Sequence, residues 1–198
     1  MQETPMVYAM LTVMNSSVID LCLLKEKDSL VEKLDSMYVR DELTKLYNRF
    51  GMRRYVEKIL QVAKRDGKHI MCIEMDLDGL KRINDTYGHD AGDNAIVQIA
   101  NAMRQASERR EVCIRSGGDE FLVFGIAEKE SDARSFIRRV EDCLDEYNSR
   151  NQWPYQVACS CGYYVRRASE INSLEEMVTE ADKLLYMVKA RRRTTRTS

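Results

Sequence analysis

Short apolar runs alternate with amphipathic segments along most of the chain. The run HIMCIEM (69–75) is almost wholly apolar and ends at Asp76, a pattern typical of a central strand that is buried on both faces. The runs VCIRS (112–116) and FLVFGI (121–126) flank the residues GGDE, and this arrangement predicts a β-hairpin. A further strand is predicted at YQVACSCGYYV (155–165).

Helical periodicity marks the segments between these strands. Apolar residues recur at three- and four-residue spacing in residues 52–67, around 96–103, from about Ser131, and in 173–190. The last of these helices opens with a capping box, in which Ser173 is followed three residues later by Glu176. Interleaved strands and helices predict one compact α/β or α+β domain from about residue 41 to residue 190.

The N-terminal segment follows a different pattern. From about Ser17 to Arg40, apolar residues recur every seven residues, which predicts a helix that either pairs with its copy or folds back on its own domain. We therefore divide the chain into a helical segment at 1–40 and a domain at 41–198. The helical segment would mediate dimerisation or transmit a signal from an upstream region. The apolar stretch 6–14 is too short to cross a bilayer, so no membrane segment is predicted.

Composition excludes some classes of function. The 31 basic and 32 acidic residues leave a net charge of -1, which argues against a polymerase-like enzyme with a basic nucleic-acid groove. The six cysteines sit mostly in apolar runs without zinc-finger spacing, as expected for buried thiols; a metal or redox role is the less favoured alternative. We expect a cytoplasmic protein, either by itself or as the cytoplasmic part of a larger receptor.

Carboxylates at two places carry the candidate chemistry. The predicted hairpin tip consists of Gly117 and Gly118, which let the chain turn and a large ligand approach, followed by Asp119 and Glu120. Asp76 ends the predicted central strand. If the hairpin lies beside that strand, these carboxylates converge and require a divalent cation such as Mg²⁺. The alternative is an ordinary hairpin with solvated acids at its tip.

Other polar residues are suited to binding a nucleotide. Lys81, Lys189 and Arg193 could hold phosphates, and Asn84 and Asp93 have the donors and acceptors to bind a purine edge. For the basic residues at the end of the last helix, the alternative is a solvated helix end that complements the helix dipole.

Four motifs together resemble a known family. They are similar in sequence and in order to the motifs of the GGDEF domains of bacterial diguanylate cyclases. Along the chain they are RDELTKLYNR (40–49), DLDGLKRINDTYGHDAGD (76–93), GGDEF (117–121) and ADKLLYMVKARRR (181–193). The resemblance implies an α+β fold with a mostly antiparallel central sheet wrapped by helices, as in the palm-like catalytic domains of nucleotidyl cyclases. It also implies the condensation of two GTP molecules to cyclic di-GMP and two pyrophosphates.

The resemblance also implies roles for individual residues. Asp76, Asp119 and the Leu77 carbonyl would bind Mg²⁺ or Mn²⁺, and Glu120 would bind a second metal ion or help to deprotonate the attacking 3'-hydroxyl. Asn84 and Asp93 would bind guanine; Lys81, Lys189 and Arg193 would bind the β and γ phosphates; Gly117 and Gly118 would let the nucleotide pass close. Because each domain would hold one GTP, catalysis would need a homodimer controlled by an upstream sensor.

The chain departs from the family pattern at several positions. The product-inhibition motif R-x-x-D is replaced by Glu108-Arg109-Arg110-Glu111, so we expect weak or absent feedback inhibition. Arg192 stands where the loop after the final helix usually carries glycine. The alternative to an enzyme is a catalytically silent module that binds GTP or cyclic di-GMP and signals to a partner.

Overall fold

The computed structural model describes residue 27 and residues 38–108, 111–150 and 153–196, with side chains as far as residue 192. Residues 39–198 belong to one compact unit. The helix predicted for residues 17–40, apart from Lys27 and residues 38–40, falls outside the described residues, so its role and the division of the chain near residue 40 stay predictions.

The described residues form four strands and five α-helices. The strands are β1 (His69–Leu77), β2 (Glu111–Gly117), β3 (Glu120–Ala127) and β4 (Cys159–Arg167). The helices are α1 (Arg49–Arg65), α2 (Leu80–Tyr87), α3 (His89–Ala106), α4 (Ser131–Arg150) and α5 (Leu174–Arg196), with a 3₁₀ turn at Ala168–Glu170. None of the helices in these ranges is long and apolar enough to cross a membrane.

The strands form a single sheet in the order β2-β3-β1-β4, and every neighbouring pair is antiparallel. The predicted hairpin and the predicted antiparallel α+β architecture are therefore confirmed. Strand β1 is central, with β3 on one side and β4 on the other, as its apolar sequence indicated. In this register Asp76 lies opposite Glu120 of β3 and opposite Ser160 of β4.

The two faces of β1 pack into two separate parts of the core. Met71, Ile73 and Met75 are buried with residues of α3 and α4. Ile70 and Cys72 are buried with residues of α1 and α5. Because side chains alternate along a strand, the polar side chains at the end of β1 share the α1 and α5 face with this second group. That face is where the candidate site forms.

The sequence predicted a polar loop at 84–93, whereas the structure has α2 at Leu80–Tyr87 and starts α3 at His89. Three other boundaries also differ from those predicted. Helix α1 begins at Arg49, three residues earlier, because the Asn48 side chain accepts hydrogen bonds from the backbone N–H groups of Phe50 and Gly51. Strand β4 begins at Cys159, since the backbone of Val157 pairs with the side chain of Asn148 instead of with a strand. Helix α5 continues to Arg196, because RRRTTR contains no helix-breaking glycine or proline.

The capping box of α5 is partly confirmed. The Glu176 backbone N–H donates to Ser173 Oγ at 3.1 Å. The Glu176 carboxylate, however, accepts from the backbone N–H and side chain of Asn172, at 3.3 and 3.1 Å, one residue earlier than the motif predicts. Both contacts still satisfy backbone donors at the start of the helix.

The described cysteines are free thiols. Cys72, Cys113 and Cys159 are buried, whereas Cys143 and Cys161 are partly exposed. Burial raises the pKa of Cys72 well above its usual range and raises the pKa of Cys113 to about 12. Thiols of this kind are poor nucleophiles at neutral pH, which agrees with the structural role predicted for them.

Candidate functional site

The hairpin tip is joined to the end of β1 through the main chain. The Leu77 N–H donates to the carbonyl oxygen of Asp119 at 3.0 Å, and Asp76 lies opposite Glu120 in the strand register. The tip therefore lies beside the central strand, which is the condition under which the sequence brings these carboxylates together. Asp76, Asp119 and Glu120 consequently belong to one end of the sheet.

Hydrogen bonds to carbonyl oxygens fix the shape of the tip. Gly118 has a φ of 38°, a left-handed conformation that favours glycine. Arg115 donates from Nε and Nη2 to the Gly118 carbonyl, at 3.1 and 2.8 Å. The carbonyl of Ser116 accepts from Arg49 Nε at 2.6 Å, and Ser116 Oγ donates to the carbonyl of Glu120 at 3.1 Å. A fixed tip holds its two carboxylates in a defined position.

Arg115 is itself held by Asp41, a residue that the sequence analysis did not assign. Arg115 Nη1 lies 3.2 and 3.3 Å from the two carboxylate oxygens of Asp41. Burial alone would raise the pKa of Asp41, but hydrogen bonds from the side chain and backbone of Thr44 and from Arg115 lower it below its usual value. Asp41, in the motif at 40–49, thus holds Arg115, which in turn binds the Gly118 carbonyl of the hairpin tip.

Asp76 combines partial burial with several neighbouring charges. Its Oδ2 atom lies 2.6 Å from Lys189 Nζ on α5. Burial raises the pKa of Asp76, the negative charges of Asp119 and Asp78 act in the same direction, and the ion pair with Lys189 offsets this only in part. Even with Lys189 in place, the local charge balance favours an additional cation beside Asp76.

Asp78 has a different role from its neighbour two residues earlier. Its Oδ1 atom accepts from Ser160 Oγ at 2.7 Å, and its Oδ2 atom lies 2.9 Å from Nη1 of Arg192. Its backbone N–H donates to the carbonyl of Ala158 at 2.9 Å. These contacts join Asp78 to α5 and to the start of β4, and not to the hairpin tip.

Glu74 is a further carboxylate of this face that the sequence analysis missed. It is about half buried, and its Oε2 atom has no hydrogen-bond partner among the described residues. Burial is the largest cause that raises the pKa of Glu74 to about 7, and the charges of Asp182, Glu120 and Asp76 add to it. The apolar run in which Glu74 sits gave no signal of this role.

The raised pKa predicts a specific dependence of stability on pH. The ordinary pKa of this carboxyl is 4.5, and in the folded protein it is about 7. Between these values the folded protein binds more protons than the unfolded chain, so the Glu74 contribution to stability is lost as the pH rises through 7. We expect Glu74→Gln to be more stable than the unsubstituted protein at about pH 8 and to lose this part of the pH dependence.

Urea unfolding in the presence of a chelator, at about pH 5 and about pH 8, measures this effect. Glu57→Gln, at an exposed position on α1, is the matched control. If the free energy of unfolding changed by the same amount between the two pH values in Glu74→Gln and in the unsubstituted protein, the raised pKa of Glu74 would be contradicted.

A second cluster lies where α2 meets α3. The Oδ1 atom of Asn84 is buried without a hydrogen-bond partner among the described residues, and it lies directly against Gly92. Any side chain at position 92 would overlap Asn84. Asp93 follows Gly92 and is exposed, and Lys81 is exposed at the start of α2. Lys81 and Asn84 on α2 and Asp93 on α3 therefore belong to adjacent helices, whereas the other predicted phosphate-binding residues, Lys189 and Arg193, are on α5.

Comparison with known proteins identifies the family. The family described as "Diguanylate cyclase, GGDEF domain" matches residues 38–195. The chain belongs to this family. The match includes every strand and helix described above except the last residue of α5.

Individual relatives agree with this membership. The probable diguanylate cyclase DgcJ of Escherichia coli is 32% identical over 151 residues, which make up 76% of this chain and 29% of that protein. The diguanylate cyclase DgcS of Shewanella oneidensis is 32% identical over 151 residues, or 76% of this chain and 49% of that protein. The chain therefore spans at most about half of the length of these relatives.

Solved structures of GGDEF proteins have the same fold. The diguanylate cyclase SiaD of Pseudomonas aeruginosa, solved in complex with its activator SiaC, superposes with a TM-score of 0.76 at 27% identity and covers 94% of this chain and 72% of that chain. The coiled coil and GGDEF domain of DgcB from Caulobacter crescentus superposes with a TM-score of 0.73 at 24% identity and covers 92% of this chain and 95% of that chain. At this level of identity the likeness shows only that the two proteins share a fold.

Within the GGDEF fold, the predicted site residues divide into three groups. Asp76, Asp119, Glu120 and Leu77 come together at one end of the sheet, and Lys189 joins them through Asp76. Asn84, Asp93 and Lys81 lie on α2 and α3. The Arg193 side chain lies outside the described residues. Its backbone belongs to α5, as does that of Arg192, so position 192 is helical and not part of a loop.

The donors at the sheet end fit a divalent cation that is bound only in part by protein. No three carboxylates, imidazoles or thiols within the described ranges form a ready-made metal cage. Magnesium ions in proteins commonly use one or two carboxylates and complete their coordination with water and substrate phosphates. Asp76 and Asp119 supply hard oxygen donors of that kind.

Proposed function

We propose that this chain is the catalytic domain of a diguanylate cyclase, which condenses two GTP molecules to cyclic di-GMP and two pyrophosphates. One observation carries the proposal: the hairpin tip with Asp119 and Glu120 is bonded to the end of β1 beside Asp76. Family membership supports the same reaction. The relatives named above, the probable diguanylate cyclase DgcJ and the diguanylate cyclase DgcS, support the same reaction.

In this proposal Asp76, Asp119, Glu120 and the Leu77 carbonyl would hold one or two divalent cations, Mg²⁺ or Mn²⁺. The cations would stabilise the attacking and leaving oxygens of an in-line displacement at the α-phosphate. Glu120 is exposed at the start of β3, so it could also accept the proton of the 3'-hydroxyl.

The other residues would bind and orient GTP. The buried Oδ1 of Asn84, which has no hydrogen-bond partner in the described part of the chain, and the exposed carboxylate of Asp93 would hydrogen-bond the guanine edge. Lys81, Lys189 and Arg193 would bind the β and γ phosphates. The absence of side chains at Gly117 and Gly118 would let the nucleotide lie against the hairpin. Lys189 would then exchange part of its contact with Asp76 for phosphate oxygens.

Catalysis would require two domains, since each would bind a single GTP. In the proposal, residues 1–40 set the geometry of the homodimer in response to an upstream sensor. The domain would work in the cytoplasm, where GTP is available. We limit the proposal to this domain, because the chain spans only part of the length of its relatives.

The experiment that tests the proposal is mass spectrometry of the products formed from GTP and Mg²⁺ over a range of protein concentrations. We expect cyclic di-GMP to rise faster than linearly with protein concentration, because the active species is a dimer. Fusing a strong coiled coil to the N-terminus should make the dependence linear. A fusion that binds GTP and forms no cyclic di-GMP would contradict the proposal and favour a silent binding module.

The replaced inhibition motif supports a further part of the proposal, namely weak product inhibition. The carboxylates of Glu108 and Glu111 lie 3.7 and 3.8 Å from the guanidinium of Arg139, whose Nε donates to the Ala106 carbonyl at 2.9 Å. Glu111 also accepts from the backbone N–H of Glu108 at 3.0 Å. Two carboxylates that already neutralise Arg139 leave little attraction for the phosphates of a product molecule.

We therefore expect cyclic di-GMP to bind here with a dissociation constant weaker than about 100 μM. Isothermal titration calorimetry of the unsubstituted protein measures this value. The double variant Glu108→Arg and Glu111→Asp restores the family motif and should bind at least about tenfold more tightly. Submicromolar binding by the unsubstituted protein, lost when Arg139 is replaced by alanine, would show that the site is intact.

A further inference from the structure

Arg192 makes a concentrated set of contacts near the C-terminal end of α5. Its Nη1 atom donates to Asp78 Oδ2 at 2.9 Å, to Ser160 Oγ at 3.0 Å and to the carbonyl of Cys159 at 3.4 Å. One guanidinium group therefore joins the last helix to the end of β1 and to the start of β4. None of these contacts involves Asp76 or the hairpin tip.

The acceptors of Arg192 are themselves fixed. Ser160 is 1% exposed, and its hydroxyl donates to Asp78 Oδ1 at 2.7 Å. The backbone N–H of Asp78 donates to the Ala158 carbonyl at 2.9 Å. Hydrogen bonds that involve charged groups are stronger than neutral ones, and a partly buried network of this kind resists displacement.

The apolar packing of α5 ends before Arg192 is reached. Met177, Ala181 and Leu185 are buried, whereas Tyr186 and Met187 are 70% and 53% exposed. Between Leu185 and Arg192 no side chain of α5 is fully buried, and Val188 and Lys189 are half-buried, so polar contacts help to hold this part of the helix against the sheet. The contacts of Arg192 and the ion pair of Lys189 with Asp76 act on this same stretch.

We infer that Arg192 is a positioning residue for the phosphate-binding side chains of α5. It ties the end of the helix to Asp78 and Ser160, and so holds Lys189, one turn earlier, beside Asp76. The inference rests on the proposed function, because it takes Lys189 to bind the triphosphate of GTP. It also gives a role to a residue that departs from the glycine of the family pattern.

Hydrogen exchange of the nucleotide-free protein tests the structural half of this inference. In Arg192→Ala, we expect the backbone amides of residues 186–192 to exchange about tenfold faster, while those of residues 177–185 keep their protection. Arg138→Ala removes an exposed arginine from α4 and should leave these rates unchanged. Unchanged exchange in Arg192→Ala would overturn the inference.

Binding of a non-reactive GTP analogue with Mg²⁺ tests the functional half. We expect Arg192→Ala to bind the triphosphate analogue about tenfold more weakly while its affinity for GMP stays the same, and we expect Arg192→Lys to recover part of the loss. Equal losses for the triphosphate and for GMP, or none for either, would overturn the positioning role. If the unsubstituted protein binds neither nucleotide, the proposed function fails, and hydrogen exchange still decides whether Arg192 holds the helix end.

Discussion

Replacing Asp119 by alanine should lower the rate of cyclic di-GMP formation by about a thousandfold, which corresponds to about 4 kcal/mol of lost transition-state stabilisation. In the proposed mechanism the carboxylate helps to hold the cation; burial raises the pKa of Asp76, and the charge of Asp119 adds to this effect. Asp119→Asn, which keeps the size and removes the charge, should be almost as inactive. Product formation from GTP and Mg²⁺ under saturating substrate is the measurement.

The fold should survive both substitutions, because Asp119 is bonded to Leu77 through its carbonyl oxygen and not through its side chain. Circular dichroism and thermal melting should therefore match those of the unsubstituted protein. Glu57→Ala, which removes an exposed carboxylate from α1, serves as the control and should keep full activity. Substantial turnover by Asp119→Ala would mean that the cation is held elsewhere.

Replacing Gly162 by alanine should lower the free energy of unfolding by about 3 kcal/mol. Helix α5 crosses β4 so closely here that an added Cβ would overlap the backbone N of Leu185 and the carbonyl of Ala181. Backbone atoms cannot rotate away as a side chain can, so the helix must move as a whole. Such a shift would also separate Lys189 from Asp76.

Urea unfolding measures this loss, and Gly117→Ala is the matched control. Gly117 also lies in a strand, but its added Cβ would come no closer than 3.7 Å to Arg49, which is ordinary contact. We expect this control to change the free energy of unfolding by less than about 1 kcal/mol. A similarly small change for Gly162→Ala would show that α5 does not rest on β4 as closely as described.

The sequence was most informative where burial and local geometry act together. An apolar run as short as 69–75 can be buried on both faces only in a central strand, and β1 is that strand. Two apolar runs around a glycine pair predicted the hairpin for a similar reason. The sequence brought Asp76 and Glu120 together only on the condition that the hairpin lies beside β1, and the register of the structure meets this condition.

Contacts between distant parts of the chain were not predictable in the same way. Arg115 and Asp41 are 74 residues apart, and Arg192 and Asp78 are 114 residues apart. Surface arginines look alike in a sequence, so nothing local distinguishes a tether from a solvated charge. Glu74 was missed for the opposite reason, since a single polar residue in an apolar strand does not change the strand assignment.

The bond between Leu77 and Asp119 uses only backbone atoms, so this link between the hairpin and β1 does not depend on the carboxylates of Asp119 and Glu120. Architecture and chemistry can therefore change separately at this site. A descendant of this chain could lose the acidic pair at 119 and 120 and still keep the same hairpin beside the same strand. It would persist as a folded nucleotide receptor without turnover, so a signalling enzyme of this design can become a sensor through very few substitutions.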